Sequence, residues 1–208
     1  MMKLYDYFRS TACYRVRIAL NLKGINYEKI SVHLINDGGQ HHSEEYHRIN
    51  PQELVPSLEI DGQILSQSLA IIDYLDEAVP NPPLLPKDPF PKAAVRSLAL
   101  IVACDMHPLN NLRVLNRIKA EFKANELQVT EWYHHWLKSG FDAFETKLKT
   151  LERSAAFCFG DTVSLADLCL IPQVYNAHRF NFSMDAYPLI NEINEHCLTL
   201  KAFQEATP

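Results

Sequence analysis

The feature that most constrains the fold is the stretch at residues 3–22, KLYDYFRSTACYRVRIALNL, in which a strand-like segment runs directly into an amphipathic helix. Ser10 and Thr11 stand at the junction and are good N-cap residues. The start of a helix leaves several backbone N–H groups without intrahelical acceptors and carries roughly half a positive charge, so it stabilises an anion, including a thiolate. The stretch therefore predicts a βα unit that is either an ordinary capped element or an anion site. The predicted buried stripe of the helix consists of Val16, Ala19 and Leu20.

The residues that follow complete an α/β pattern. Residues 26–34 alternate between polar and apolar side chains, which predicts a second strand. Asp61-Gly62 lies between two short apolar runs and predicts a β-hairpin, after which Ser68 is the predicted N-cap of a second helix. A polar, glycine-rich loop at residues 36–42 precedes the hairpin. This order of elements is the βαβ-ββα arrangement of a thioredoxin-like domain, although the chain has no CxxC motif for disulfide exchange.

A proline-dense segment, NPPLLP at residues 81–86, marks a linker between two domains. We predict a thioredoxin-like α/β domain over residues 1–80 and an all-helical domain over residues 87–208. Ser164 and Asp167 form a pattern typical of a capping box, so Asp167 is expected to support a helix and not to act in catalysis. Helical periodicity in the second domain covers residues 91–122, 126–151, 164–178 and 187–203.

Composition excludes several classes of partner. The 208-residue chain has a formal net charge of −5 and a pI near 6.0, so neither nucleic acid nor an anionic membrane surface suits the whole molecule. Its longest apolar run, at residues 98–104, is far shorter than the ~20 residues of a membrane helix, and the N-terminal MMKLYDYF lacks the apolar core of a signal peptide. We therefore expect a cytoplasmic protein in which local positive charge attracts any anionic substrate.

The cysteines and histidines predict neither disulfides nor a metal site. The five cysteines are odd in number and widely scattered, and Cys104 and Cys169 lie in helical apolar patterns that predict small core residues. The nine histidines include two adjacent pairs, at residues 41–42 and 134–135, whose side chains do not converge as metal ligands at helical spacing do. We therefore predict no metal.

Five segments together resemble the zeta-class glutathione transferases, the family that includes maleylacetoacetate isomerase and maleylpyruvate isomerase. They are YFRSTACYRVRIALNLKG, NPQELVPSLEIDG, QSLAIIDYLDE, HPLNNLRVL and SLADLCLIPQVYNAHRF, and they span nearly the whole chain. The resemblance implies a glutathione transferase-like fold and a homodimer. It also implies that the thioredoxin-like domain binds glutathione and that the helical domain binds the second, small anionic substrate.

The resemblance also implies roles for individual residues. Ser10 matches the serine that contacts the glutathione sulfur, the backbone of Val55 is expected to pair with the cysteinyl moiety, and Arg179 matches the arginine that binds a substrate carboxylate. Gln67 and Ser68 are expected to hold the γ-glutamyl carboxylate. The catalytic set is Ser10, Thr11, Arg15 and Arg179. The glutathione-binding set is Ser10, Thr11, Arg15, His41, Val55, Gln67, Ser68, His107 and Asn111.

The sequence departs from the family pattern at the first helix. The family motif commonly reads Ser-Ser-Cys, whereas this chain reads Ser10-Thr11-Ala12 and places a cysteine one position later, at Cys13. Since one helical step turns a side chain by about 100°, Cys13 is not expected to take over the role of the family cysteine. At three further positions, His41, His107 and Arg113 replace the glutamine, glutamine and serine that members often carry.

The function implied by the resemblance is the glutathione-dependent cis–trans isomerisation of maleylacetoacetate to fumarylacetoacetate in phenylalanine and tyrosine degradation, with glutathione transferase activity. Three alternatives stay open. The same site could serve maleylpyruvate or α-halo acids as a related isomerase, transferase or dehalogenase. Cys13 could act as the nucleophile of a thiol transferase. The chain could also be a non-catalytic interaction protein, although a scaffold has no need of Ser10 or of Gln67 and Ser68.

Overall fold

The computed structural model describes residues 1–151, 153 and 156–208 and divides into two compact units. The first unit comprises Met1–Pro83 together with Leu200–Pro208, and the second comprises Leu84–Thr199. The last nine residues, which the sequence prediction placed in the helical domain, thus belong with the α/β unit.

The first unit contains a four-stranded mixed sheet of order β2-β1-β3-β4. Strand β1 runs parallel to β2 and antiparallel to β3, with Leu4 opposite Leu58 in the register, and β3 and β4 form the hairpin predicted at Asp61-Gly62. This arrangement confirms the predicted thioredoxin-like fold. The strands are β1 (Met2–Asp6), β2 (Tyr27–Ser31), β3 (Ser57–Ile60) and β4 (Gln63–Ser66).

Helices cover both faces of this sheet. Helices α1 (Thr11–Leu22) and α3 (Ser68–Ala78) pack against each other, and the predicted α1 stripe of Val16, Ala19 and Leu20 is fully buried. Successive side chains of a strand point to opposite faces, so Leu4 and Tyr5 of β1 face different layers. The short helix α2 (Glu44–Ile49) lies on the Tyr5 side, where the rings of Tyr46 and Tyr5 meet edge to face at 6.0 Å.

The second unit is helical, but its first predicted helix, over residues 91–122, is interrupted. Helix α4 (Pro89–Leu100) continues into a π-helical segment, Ile101–Met106, and a turn then separates this segment from α5 (Leu112–Phe122). The wider π turn rotates the side chains away from the α-helical period, so Cys104 is exposed and its prediction as a core residue is wrong. The other four cysteines are buried, and all five are free thiols.

The remaining helices are α6 (Glu126–Leu148), α7 (Leu165–Arg179), α8 (Pro188–Cys197) and α9 (Lys201–Gln204). At the start of α7, the buried Asp167 accepts hydrogen bonds from the Ser164 backbone N–H at 2.8 Å and from its hydroxyl at 2.7 Å, which supports the predicted capping role. The helical periodicity predicted over residues 187–203 corresponds to two helices, α8 and α9. The chain leaves α8 at Leu198, and Phe203 then lies in α9, where it is buried as part of the first unit.

Among the described residues, none of the helices combines the length and the apolar content that a membrane span requires. Within the same part of the chain, no group of three or more histidine, cysteine, aspartate or glutamate side chains is placed to hold a metal ion.

Candidate functional site

The start of α1 places Ser10 at the end of a short turn that follows β1. Ser10 is the N-cap, and its Oγ accepts a hydrogen bond from the Cys13 backbone N–H at 3.2 Å. Its own backbone N–H donates to the Tyr7 carbonyl at 2.9 Å, which fixes the turn from both sides. Because the hydroxyl acts as an acceptor in the cap, its proton remains available to donate to an anion at the helix start. Thr11, the first helical residue, is buried directly beside it.

The start of α3 lies beside α1 and is connected to it by Arg15. The Arg15 side chain is buried, and its Nη1 donates to Ser68 Oγ at 3.4 Å. Two helix starts with exposed partial positive charge and a buried guanidinium group thus meet on one side of the first unit. Arg15, Ser68 and the Ser10 cap are the predicted site residues that this unit brings together.

Gln67 has an uncommon backbone conformation at this point. It is the N-cap of α3, with φ 69° and ψ 112°, whereas the sequence predicted that Ser68 would be the cap; Ser68 is instead the first helical residue. A non-glycine residue in such a conformation costs on the order of 1–3 kcal/mol, and residues of this kind cluster at ligand-binding sites. The Gln67 side chain donates to Gln52 Oε1 at 2.8 Å. Nothing in the sequence pattern indicated the contact with Gln52.

Val55 lies in the segment just before β3 and precedes Pro56 across a cis peptide bond. The neighbouring Leu54 carbonyl accepts two hydrogen bonds, from the Tyr46 hydroxyl and from Asn50 Nδ2, both at 2.7 Å. These bonds hold the segment in place, so the backbone of the half-buried Val55 is presented in a fixed position.

His41 lies in a short 3₁₀ turn, Gln40–His42, and its ring contacts that of His42 with centroids 3.8 Å apart and planes tilted by 39°. Burial, together with the nearby His42, lowers the pKa of His41, so its imidazole is neutral at physiological pH. Its Nδ1 is buried without a hydrogen-bond partner among the described residues. Gly39 makes room for this ring, because a Cβ atom there would overlap with His41 and its φ of 99° suits only glycine.

Cys13 is a buried packing residue. Its Sγ accepts a hydrogen bond from the Tyr7 backbone N–H at 3.4 Å, and burial, followed by the nearby Asp6 carboxylate, raises the pKa of its thiol to about 12. A thiol with this pKa is protonated at neutral pH and is a poor nucleophile. The position of Cys13 therefore does not support the thiol-transferase alternative.

In the second unit, Arg179 ends α7 and is exposed, with its orientation set by two neighbours. Its Nη1 donates to Asn176 Oδ1 at 2.8 Å, and its Cζ lies 5.7 Å from the centre of the Phe180 ring. Asn176 in turn donates to the Tyr133 hydroxyl at 2.8 Å, and Phe180 stacks on Tyr133 at 3.8 Å. None of these three supporting residues was identified from the sequence: Asn176 and Phe180 are near Arg179 in the chain, but nothing there indicated Tyr133.

His107 and Asn111 lie on either side of the turn between the π-helical segment and α5. Asn111 is the N-cap of α5, and its Oδ1 accepts from the Arg113 backbone N–H at 3.1 Å. The adjacent Asn110 is buried and donates to the Tyr133 carbonyl at 3.1 Å, which anchors the turn on α6. The second unit therefore places His107 and Asn111 on one turn and Arg179 on another helix.

Comparison with known proteins assigns the chain to a family. Residues 4–83 match the model of the glutathione S-transferase N-terminal domain. A probable maleylacetoacetate isomerase from Vibrio cholerae is 47% identical over 206 residues, which cover 99% of this chain and 94% of the relative. The chain belongs to the glutathione S-transferase family.

Two solved structures of the glutathione S-transferase family are closely similar. The holo structure of a maleylpyruvate isomerase, described as a bacterial zeta-class enzyme, matches with a TM-score of 0.96 at 44% identity, covering 99% of this chain and 96% of the other. A maleylacetoacetate isomerase from Methylobacterium extorquens AM1, crystallised with bound malonate and glutathione, matches with a TM-score of 0.95 at 42% identity and the same coverage. Both structures extend the family resemblance over the helical unit as well.

The geometry of the first unit is itself suited to binding glutathione. A tripeptide with two carboxylates and a thiol needs anion-binding helix starts and hydrogen-bond donors. The starts of α1 and α3, the Arg15 guanidinium and the strained Gln67 supply such a set.

Proposed function

We propose that this chain is a glutathione-dependent cis–trans isomerase that converts maleylacetoacetate to fumarylacetoacetate, with accompanying glutathione transferase activity. The observation that carries the proposal is the Ser10 cap of α1 placed on the same unit as the Arg15–Ser68 contact at the start of α3. The full-length similarity to the V. cholerae relative supports the choice of substrate.

We assign glutathione binding to one group of residues. Ser10 and Thr11 would face the thiol, the backbone of Val55 would pair with the cysteinyl moiety, and Gln67 and Ser68 would hold the γ-glutamyl carboxylate. The buried Nδ1 of His41 supports a contact with the ligand, because a buried polar atom without a partner is costly. The full glutathione-binding set is Ser10, Thr11, Arg15, His41, Val55, Gln67, Ser68, His107 and Asn111.

When bound, glutathione would supply a thiolate for reversible addition to the conjugated double bond, whose carbon–carbon bond could rotate before the thiolate is expelled. A free thiol has a pKa near 8.5 and is mostly protonated at neutral pH. The Ser10 hydroxyl would donate a hydrogen bond to the sulfur, and the N-terminal end of α1 would add its partial positive charge. Both interactions favour the ionised form, which is the reactive one.

Arginine side chains are assigned to the acidic substrate. A chain of net charge −5 repels a dianion, so a local cation is needed to bring the substrate in. Arg179 is exposed, and only its Nη1 is engaged by Asn176 in the contacts described above, which leaves donors of its planar fork for a carboxylate. Arg15 adds positive charge beside the start of α3.

The experiment that tests the proposal follows isomerisation of maleylacetoacetate by the purified protein with and without glutathione. We expect turnover only when glutathione is present, with no net consumption of it. Turnover without glutathione, or none under either condition, would refute the assignment. A protein that binds glutathione but turns over no acceptor would instead be the non-catalytic interaction protein.

Maleylpyruvate isomerase is the second candidate function, favoured by the match to a solved enzyme of that name. The glutathione-binding residues of the first unit do not distinguish the two substrates, since both are unsaturated keto acids. Comparing kcat/KM for maleylacetoacetate, maleylpyruvate and an α-halo acid decides between them, and the largest value identifies the physiological class.

We also propose that the protein is a cytoplasmic homodimer that acts in phenylalanine and tyrosine degradation. Two exposed apolar side chains on α4 are compatible with self-association, since Phe90 is 84% exposed and Leu100 is 42% exposed. Sedimentation analysis checks this prediction, and a monomer at micromolar concentration contradicts it.

A further inference from the structure

Arg17 is a buried arginine on α1 whose guanidinium group binds three separate parts of the first unit. Only 2% of the residue is exposed. Its Nη1 donates to Asp6 Oδ1 at the end of β1 at 2.6 Å, its Nη2 donates to the Phe8 carbonyl at 3.0 Å, and its Nε donates to the Ala206 carbonyl at 2.9 Å. One rigid fork thus joins a strand end, the turn that leads to Ser10, and the C-terminal segment.

The C-terminal segment, Leu200–Pro208, is docked on α1 by further contacts. The Tyr14 hydroxyl and Thr207 Oγ1 lie 3.0 Å apart, and Thr207 Oγ1 also donates to the Phe203 carbonyl at 3.0 Å. Further along the helix, Asn21 Nδ2 donates to the Ala202 carbonyl at 3.0 Å. Phe203 and Ala206 are fully buried. The segment is therefore an ordered part of the first unit.

The chemistry of the guanidinium group makes these contacts interdependent. A buried arginine is tolerated only when its charge is paired and its donors find acceptors, because an unpaired buried charge is strongly destabilising. If the C-terminal segment moved away, the Nε of Arg17 would lose its acceptor and the burial of the whole fork would change. The Phe8 carbonyl lies two residues before Ser10. A displacement of the Arg17 guanidinium group would therefore also displace the turn that contains Ser10.

We propose that Arg17 is a positioning residue that couples the C-terminal segment to the Ser10 turn, so that residues 200–208 help to set the geometry of the thiol site. This inference rests on the proposed function, in which Ser10 contacts the glutathione sulfur. The glutathione backbone and carboxylates are assigned to Val55 and the start of α3, which the fork does not touch. Loss of the coupling should therefore affect the thiol more than it affects the binding of the tripeptide.

The experiment uses three single variants of the full chain. Arg17→Lys keeps a cation beside Asp6 but removes the fork that reaches both carbonyls. Thr207→Val is nearly isosteric and removes the hydroxyl contacts with Tyr14 and Phe203. Asn21→Ala is the matched control, because it also removes one bond to the C-terminal segment but lies at the other end of α1, away from the Ser10 turn.

For each variant we measure kcat, the KM for glutathione, the pKa of the bound glutathione thiol by ultraviolet titration, and the melting temperature. Arg17→Lys is expected to lower kcat by roughly tenfold and to raise the thiol pKa, with KM changed by less than about threefold, since small misplacements of a reacting group can cost up to ~100-fold. Thr207→Val is expected to have the same effects as Arg17→Lys but smaller ones, with kcat lowered by about threefold and the thiol pKa raised. Asn21→Ala is expected to leave both kcat and the thiol pKa unchanged. The Arg17→Lys and Thr207→Val effects should be non-additive, because both act through one contact network.

A lower melting temperature with an unchanged thiol pKa in both Arg17→Lys and Thr207→Val would overturn the inference, as would equal effects of Thr207→Val and Asn21→Ala. If Arg17→Lys does not fold, Thr207→Val alone decides. A parent protein that fails to bind glutathione refutes the proposed function itself, whereas a parent that binds and turns over with all three variants unchanged refutes only the positioning role.

Discussion

Ser10→Ala removes one hydroxyl group that has two separate roles in this site. Its oxygen caps α1 by accepting from the Cys13 backbone N–H at 3.2 Å, and its proton is assigned to the glutathione sulfur. The first role concerns stability, and the second concerns the protonation state of the thiol. The variant tests the mechanism only if the two consequences are measured separately.

The expected magnitudes of the two losses differ. Replacing a serine N-cap by alanine typically costs about 1 kcal/mol of stability. Losing a hydrogen bond to a charged sulfur costs about 1.5–3 kcal/mol, which corresponds to roughly a tenfold to hundredfold lower rate. Since that bond favours the thiolate over the thiol, the pKa of the bound thiol should rise by about one to two units. We therefore expect kcat to fall much more than glutathione affinity does.

Ser43→Ala is the matched control for the capping role. Ser43 is the N-cap of α2, and its Oγ accepts from the Tyr46 backbone N–H at 3.2 Å, the same distance as in the Ser10 cap. The assay titrates the ultraviolet absorbance of the bound thiolate in the parent and in both variants and records thermal unfolding in parallel. Both variants should lose comparable stability, whereas only Ser10→Ala should move the thiol titration.

An unchanged thiol pKa in Ser10→Ala, with turnover reduced only as far as stability is reduced, would refute the reasoning. Ser10 would then be a helix cap and nothing more. The thiolate would have to be stabilised by the backbone N–H groups at the start of α1 and by Thr11.

Three further predictions address other parts of the site. Cys13→Ala should keep glutathione-dependent turnover within about threefold of the parent, because a buried thiol with a pKa raised to about 12 supplies no thiolate; a loss above tenfold contradicts this. The same variant should lose less stability at alkaline pH. An unfolded cysteine ionises near pH 8.5 while folded Cys13 stays protonated, so the parent should lose about 2 kcal/mol more than the variant between pH 7 and pH 10, as measured by urea unfolding. Arg179→Ala should raise KM for a carboxylate substrate by at least about tenfold and leave glutathione affinity intact, with the exposed Arg48→Ala as control; an equal loss with a neutral chloronitrobenzene acceptor would remove Arg179 from the site.

Local signals in the sequence were sufficient to predict the elements of the first unit that contain or support the candidate site. The strand-to-helix junction at Ser10 was predictable because N-cap preference, apolar spacing and a nearby strand pattern all agree there. The hairpin at Asp61-Gly62 was predictable because that dipeptide readily adopts positive φ, and both residues do so in the structure, at 50° and 81°. Each of these features is determined within a few residues.

The features that were not predicted depend on tertiary contacts or on local geometry, and the hydrophobic periodicity of the sequence reveals neither. The π-helical segment Ile101–Met106 lies inside an apolar pattern that fits an α-helix, and nothing local marks the wider turn. Gly140 on α6 allows the close approach of Met106, since a Cβ atom there would overlap with the methionine side chain. Only the packing of two helices distant in sequence shows why the segment is accommodated.

The sequence prediction placed residues 200–208 in the helical domain, whereas the structure groups them with the first unit, and this difference has the same origin. Phe203 continues the helical spacing of α8, so periodicity extended that helix across the break at Leu198–Leu200. Residues 200–208 are held on the first unit by the burial of Phe203 and Ala206 and by the hydrogen bond from Arg17 to the Ala206 carbonyl. That bond joins residues 189 positions apart in the sequence. The sequence shows Arg17 near the start of α1, together with Arg9 and Arg15, but it does not show the acceptors of Arg17. A backbone carbonyl has no sequence signature, so the coupling of the C-terminal segment to the Ser10 turn could be found only in the folded structure.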